Sequence, residues 1–287
     1  MRIIDKLEGP SPQFSFEYFP PKTEDGEKSL FQTVGRMKEL GPAFASVTCG
    51  AGGSTRGKTV EWARKIKEEL GVEAVVHLTC LGVDEDELRN TIQEIKAHKL
   101  INVLALRGDL PQDGSGNQSH CQYANELISL IREIYPEACI AAAAYPETHV
   151  DANNRFSDLE NLKRKADAGA DLFVTQLFFD NRHYFEFVGR ARSMGITQPI
   201  IPGIMPIQNV GQTIRFIEMC GASIPDHLMK LLRQYEDSPK AVYYIGVAHA
   251  IAQCDELLRS GVPGIHFYTL NKSPATRLVV EALRGKA

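Results

Sequence analysis

Short apolar runs recur along the 287-residue chain, separated by stretches in which apolar residues fall three and four apart. The runs are FSFEYF (14–19), FASVTC (44–49), EAVVHLTC (73–80), INVLALRGD (101–109), CIAAAAYPE (139–147), LFVTQLFF (172–179), PIIPGIMP (199–206) and GIHFYTL (264–270). Each is rich in branched or aromatic side chains and largely unalternated, the pattern of strands buried on both faces. The stretches TVEWARKIKEEL, DEDELRNTIQEIKAH, YANELISLIREIY and SDLENLKRKADAGA read as amphipathic helices. Asp84 before EDEL, and Ser273 followed by Pro274, supply helix-start signals.

Strand and helix alternate at roughly 30-residue spacing, the sequence form of a βαβ series. Eight such units predict an α/β fold, a (β/α)8 TIM barrel, with an open doubly wound sheet as the alternative. The interval between the seventh and eighth strands is long and predicts extra helices there. No linker or composition shift divides the chain, so residues 1–287 are expected to form a single domain.

Composition narrows the partners. A net charge of -4 with no basic block gives no reason to expect nucleic acid or an anionic membrane surface. No apolar run approaches the ~20 residues of a membrane span, and the start lacks a signal-peptide core. Six scattered cysteines without a C-x-x-C pair fit reduced thiols and a cytoplasmic location. No metal site is expected, because HLTC has no second ligand pair at suitable spacing.

The active site of such a barrel lies at the carboxyl ends of its strands. Polar residues that interrupt or end the apolar runs are therefore the candidates: Glu17, Thr48, His77, Arg107 with Asp109, Tyr145 with Glu147 and His149, Gln176 and Tyr268. Any one could be a satisfied structural residue, but burying the whole ring needs partners. Glu17 stands between Phe16 and Tyr18. A carboxylate among aromatics is expected to have a raised pKa, suiting a general acid near neutral pH. The alternative is that Glu17 faces water at the barrel mouth. Lys163, Arg164 and Lys165, with Arg107 and His149, could neutralise a bound diphosphate, or the lysine-rich set could be a solvated helix face. Gly52 to Thr59 match the phosphate-loop pattern G-x-x-x-x-G-K-S/T. That match reads as chance, because the strand run ends at Thr48 and Gly52 comes four residues later.

In this order, FSFEYFPPKT, SVTCGA, HLTC, ALRGD, AAAYPETH, NLKRKADAGA, TQLFFD, IPGIMP and HFYTLN make the chain resemble the catalytic barrel of bacterial methylenetetrahydrofolate reductases. The resemblance covers nearly the whole chain. It implies FAD as cofactor, with methylenetetrahydrofolate and NAD(P)H as substrates taking turns at the flavin to give methyltetrahydrofolate. It implies that Glu17 is the general acid and that Asp109 sits where flavin and pterin meet. Gln176, Phe216, Tyr268 and Lys272 would face the substrate. Thr48, His77, Arg107, Gly108, Asp109, Tyr123, Ala124, Tyr145, His149, Asp158, Asn161, Arg164 and Lys165 would line FAD. Cys49 stands where relatives can carry tyrosine, and Lys272 where they can carry arginine. A regulatory domain of the eukaryotic kind is not expected, nor inhibition by S-adenosylmethionine. The different-class alternative is a barrel subunit handling flavin or folate within an electron-transfer complex, with a donor other than NAD(P)H. Oligomeric state stays open.

Overall fold

The computed structural model describes residues 1–49, 56–109 and 119–285. Helix α1 (Ile3–Leu7) leads into strand β1 (Gln13–Tyr18) and α2 (Glu24–Lys38). Then follow β2 (Phe44–Val47), α3 (Arg56–Glu68), β3 (Ala74–Thr79), α4 (Glu85–Ala97), β4 (Asn102–Leu106) and α5 (Ala124–Ile134). The second half continues with β5 (Cys139–Ala144), α6 (Arg155–Asp167), β6 (Leu172–Thr175), α7 (Asn181–Ser193), β7 (Ile200–Ile201) and β8 (Gly203–Ile204). It ends with α8 (Val210–Cys220), α9 (Asp226–Gln234), α10 (Pro239–Arg259), β9 (Gly264–Tyr268) and α11 (Ser273–Arg284).

All strand pairs are parallel, and the order runs β7-β6-β5-β4-β3-β2-β1-β9-β8. The two short segments β7 and β8 are one interrupted strand. Ile200 and Ile201 pair with Phe173 and Val174 of β6, while Gly203 and Ile204 pair with His266 and Phe267 of β9. Pro202 between them has no N–H to give either neighbour. The seventh strand thus changes partner at Pro202 and closes the TIM barrel. The long interval before β9 holds three helices, α8, α9 and α10, two more than one β/α unit needs.

Strand alternation divides the core. Phe16, Ala45, Val76, Val103, Ile140 and Phe173 face the helices in the larger cluster. Phe44, Val75, Leu104, Ala141, Leu172 and Val174 point the other way and fill the barrel with Ile3 and Leu7 of α1. The six-residue strand β3 is buried along its whole length and β5 at all but one position. Several apolar runs outlast the strands they announce: 101–109 is strand only to Leu106, and 172–179 only to Thr175. Leu177 and Phe179 are buried nonetheless in a cluster with α8, α9 and α10, and Phe178 stacks on Tyr184 of α7 with Gln253 donating to its carbonyl at 2.9 Å.

Of the phosphate-loop lookalike, residues 50–55 lie outside the described residues. Lys58 and Thr59 belong to α3, with Lys58 exposed and Thr59 buried. Among the described residues no helix is long and apolar enough to cross a membrane.

Helix α1 was not predicted from the sequence. It closes the amino-terminal end of the barrel through Asn102, which is fully buried. The Asn102 Oδ1 accepts the Ile3 N–H at 2.8 Å, and its Nδ2 donates to the Met1 carbonyl at 3.0 Å and to Glu73 at 3.1 Å. Replacing Asn102 by Leu takes this partner from the Ile3 N–H and the Met1 carbonyl, while Glu73 keeps the amino terminus and Lys67. The expected cost is about 2 kcal/mol, or roughly 4 °C in the thermal midpoint of a chain this size. Thermal unfolding of Asn102→Leu checks it, and a midpoint equal to wild type contradicts the plug.

Candidate active site

At the carboxyl end of the strands opens a cavity of about 1200 Å³. That exceeds the roughly 300–1,000 Å³ typical for one small ligand. Every predicted site residue lines it except Glu147, Lys163 and Lys272. Lys272 stands outside the lining, exposed at the start of α11.

The floor is built by alternation. In β1, Phe14, Phe16 and Tyr18 face the helices, which leaves Ser15 and Glu17 facing the barrel axis. In β9 the same alternation aims His266 and Tyr268 inward, and the register pairs Ser15 with His266 and Glu17 with Tyr268. The result is a chain of polar groups. His266 Nδ1 lies 2.8 Å from Ser15 Oγ, His266 Nε2 lies 3.2 Å from Glu17 Oε2, and His77 Nε2 approaches the same oxygen to 3.4 Å. Both histidines are buried, and the Glu17 side chain is 12% exposed. From the end of β9, Thr269 donates its N–H (3.1 Å) and its hydroxyl (2.7 Å) to the Glu17 carbonyl.

This geometry corrects the expected rise in the Glu17 pKa. Burial does push the carboxyl up, but the hydrogen bond from His266 and the charges of His77 and His266 outweigh it. The net shift is downward from the ordinary value of 4.5. The aromatic neighbours in sequence lie on the opposite face of the strand, so cross-strand histidines set the surroundings instead. Burial also holds the His77 pKa below its ordinary value.

A basic band occupies another side of the cavity. Lys165 of α6 donates to the Ala143 carbonyl at 2.5 Å and lies 5.8 Å from the Tyr145 ring centroid. Burial depresses its pKa to about 8, against the opposing charge of Asp158. Burial raises the Asp158 carboxyl in turn, partly offset by the His149 N–H it accepts at 3.1 Å. Arg107 pairs with Asp151 at 2.5 Å, a partner the sequence did not suggest. Arg164 donates to Asn161 at 2.6 Å, and both are exposed. Tyr145 and His149 meet edge to face at 4.5 Å.

The donor set suits an anionic, phosphate-bearing cofactor. It joins a desolvated ammonium, two guanidinium groups and an imidazole beside a backbone cradle. Gly108 forms that cradle with φ of 85°, where a Cβ would meet Thr79 at 3.0 Å. Tyr123 and Ala124 at the start of α5 and Thr48 at the end of β2 complete this side. Asp109 is exposed beside Gly108, at the edge of the segment 110–118 outside the described residues.

Across the cavity Phe216 of α8 stacks on Phe19, ring centroids 6.2 Å apart and planes within 4°. Asn271 fixes Phe19 by accepting its N–H at 2.8 Å and donating to its carbonyl at 3.1 Å. Gln176 follows β6 directly, its side-chain oxygen accepting the Leu177 N–H at 2.8 Å. Tyr268 donates its hydroxyl to the Thr175 carbonyl at 2.7 Å. The sequence reading missed His266, Phe19 and Asn271. The signal for the first was present: SFE and HFY each place two polar-tipped residues on one strand face.

The chain is thus a parallel β/α barrel with a carboxylate–histidine floor, a basic band and an aromatic wall in one large cavity. A family model described as methylenetetrahydrofolate reductase matches residues 2–284, and the chain belongs to that family. It is 39% identical to the 5,10-methylenetetrahydrofolate reductase of Escherichia coli (strain K12) over 94% of the chain and 90% of that relative. It is likewise 39% identical to methylenetetrahydrofolate reductase (NADH) 1 of Arabidopsis thaliana over 94% of the chain, and there it spans 49% of the relative's length. A solved structure of an uncharacterised Clostridium thermocellum protein that binds two copies of 5-methyl-5,6,7,8-tetrahydrofolic acid shares the fold. Its TM-score is 0.72 at 14% identity, covering 100% of this chain and 99% of that one.

The depressed values at Glu17 and His77 fix a sign. Both groups bind fewer protons folded than unfolded, so stability rises with pH between their folded and unfolded values. The Glu17 contribution is complete above its ordinary value of 4.5 and is lost as pH falls through the lower folded value. The thermal-midpoint difference between wild type and Glu17→Gln is therefore expected to narrow from about pH 6 to about pH 3. A difference that stays constant or widens contradicts the assignment.

Proposed function

We propose that the chain reduces 5,10-methylenetetrahydrofolate to 5-methyltetrahydrofolate, with FAD as cofactor and NAD(P)H as donor in ping-pong order. The observation that carries this reading is the single cavity joining the Glu17–His266 pair to the basic band. The family match and the names of the E. coli and Arabidopsis relatives support the substrate. The Arabidopsis relative's name also supports NADH as donor. The Clostridium protein's methyltetrahydrofolate supports a folate as a ligand of this fold.

In this reading Lys165, Arg107, Arg164 and His149 hold the FAD diphosphate, and Gly108 lets the backbone approach it closely. Thr48, His77, Tyr123, Ala124, Tyr145, Asp158 and Asn161 line the rest of the cofactor. Bound FAD would supply the redox chemistry, taking hydride from NAD(P)H and giving it to the folate. Phe216 stacks a planar substrate ring, and Gln176 and Tyr268 offer polar groups to it. Asp109 carries a negative charge at the open side and favours a cationic iminium over the neutral folate.

Glu17 has the acid role. The carboxylate is ionised in the free protein and lies 3.2 Å from His266 Nε2, within proton-transfer reach. Substrate covering the floor removes the remaining water and strengthens the desolvation that already pushes the Glu17 pKa upward. The carboxyl takes up a solvent proton as the substrate settles and delivers it to the bridging folate nitrogen, returning to carboxylate as the ring opens to the iminium. Ser15, on the far side of His266, fixes the imidazole orientation.

The purified chain is expected to be yellow, bleached by NADH under anaerobic conditions and restored by methylenetetrahydrofolate. A yellow protein that NADH cannot bleach, but that cycles with a chemical reductant and folate, moves the donor to another carrier. A protein that takes up no FAD overturns the reading.

A further inference from the structure

Glu147, at the end of the fifth apolar run, has no part in the chemistry above. Its carboxylate is 12% exposed and accepts the Ser223 N–H at 3.1 and 3.0 Å, and also the Ser223 hydroxyl. His183 of α7 faces both, its Nε2 3.4 Å from Glu147 Oε2 and 3.3 Å from Ser223 Oγ. A hydrolytic relay needs the carboxylate on one ring nitrogen and the hydroxyl on the other. Here both face Nε2, so the cluster is a tether.

The tethered element is α8. Its buried side chains are Val210 and Thr213, both in its amino-terminal half. From Ile214 to Cys220 no side chain is fully buried, and Met219 is 74% exposed. Ile214, Phe216, Ile217 and Cys220 are half-buried against a small satellite cluster rather than the main core, so this end opens at lower free-energy cost than the barrel. Two further contacts pin it. Gly221 caps the helix in the left-handed region with φ of 73°, and a Cβ there would meet Val150 at 3.0 Å. Ser223, two residues on, is held by Glu147. Between Glu147 and Val150 lies Thr148 with φ of 81°, a β-branched residue in the left-handed region. Such a conformation persists only where its surroundings fix it. The same turn carries Tyr145 and His149 on its cavity side, with the Thr148 N–H donating to the Tyr145 carbonyl at 3.3 Å.

We propose that Glu147 is a positioning residue that couples the two ends of the cavity. The turn from Tyr145 to His149 is strained and faces the cofactor side. Through Glu147 and Ser223 it sets where α8 holds Phe216 over the substrate side. Filling the cofactor side orders the turn, and the tether passes that order to α8. This rests on the reading of the cavity as an FAD and folate site.

The test compares wild type, Glu147→Ala and Ser223→Ala, each loaded with FAD, by hydrogen exchange of residues 208–223 and by steady-state kinetics. In wild type, FAD is expected to slow exchange across α8. In Glu147→Ala, which stays yellow, exchange is faster and no longer responds to FAD. The KM for methylenetetrahydrofolate rises about tenfold with a smaller change in kcat, the loss expected for one charge-assisted hydrogen bond. Ser223→Ala keeps the backbone bond to Glu147 and should fall between the two, even where Glu147→Ala is poorly folded. Glu147 variants whose α8 exchange still responds to FAD, with KM unchanged, overturn the tether. Wild type that binds no FAD or reduces no folate overturns the functional reading instead, and is seen before any variant is made.

Discussion

The Glu17 carboxylate must be kept satisfied inside a barrel whose lower half is apolar, and much of the upper barrel answers that need. Two buried imidazoles flank it, one from β3 and one from β9. Ser15 orients His266 from within β1 itself. Thr269 draws the Glu17 backbone to the end of β9 with two hydrogen bonds. A carboxylate taken from water without such partners costs several kcal/mol or takes up a proton. Here it stays charged in the free protein, so it has to take up a proton as substrate excludes the last water before it can act as an acid.

Closure of the barrel serves the same floor. Tyr268, two residues beyond His266, crosses to the Thr175 carbonyl, and it can do so because position 203 is glycine. A Cβ there would meet the Thr175 carbonyl at 2.3 Å and the Tyr268 ring at 2.7 Å. The Gly203 N–H is taken by the Thr175 hydroxyl at 2.9 Å. The break at Pro202 therefore lets β7 pair to one side, β8 to the other, and the tyrosine lie across the seam. Seam and acid floor share β9, so a change at either is felt by both.

Much of this was legible in the sequence. Eight apolar runs with helices between them gave the barrel, because strands buried on both faces leave a pattern that needs no long-range information. The strand-end polar residues pointed to the cavity for the same reason, since a barrel aims the ends of its strands at one place. What was not legible depends on register. FSFEYF suggested that aromatics surround Glu17, yet the pleat sends Phe16 and Tyr18 to the other face. The neighbour that matters, His266, is 249 residues away and becomes visible only once β1 and β9 are paired. The pairing of Arg107 with Asp151, and of Glu147 with Ser223, likewise depends on how loops fold back, which no local periodicity encodes. Lys272 followed a motif match and stands outside the lining.

The central claim is that Glu17, held by His266, serves the folate step alone. The most direct measurement is rapid-mixing kinetics of Glu17→Gln with FAD bound, each half-reaction followed separately by the flavin absorbance. Bleaching by NADH is expected within about threefold of wild type, while reoxidation by methylenetetrahydrofolate falls by at least about a hundredfold, as loss of a general acid predicts. Equal loss of both half-reactions, or reoxidation at the wild-type rate, would contradict it.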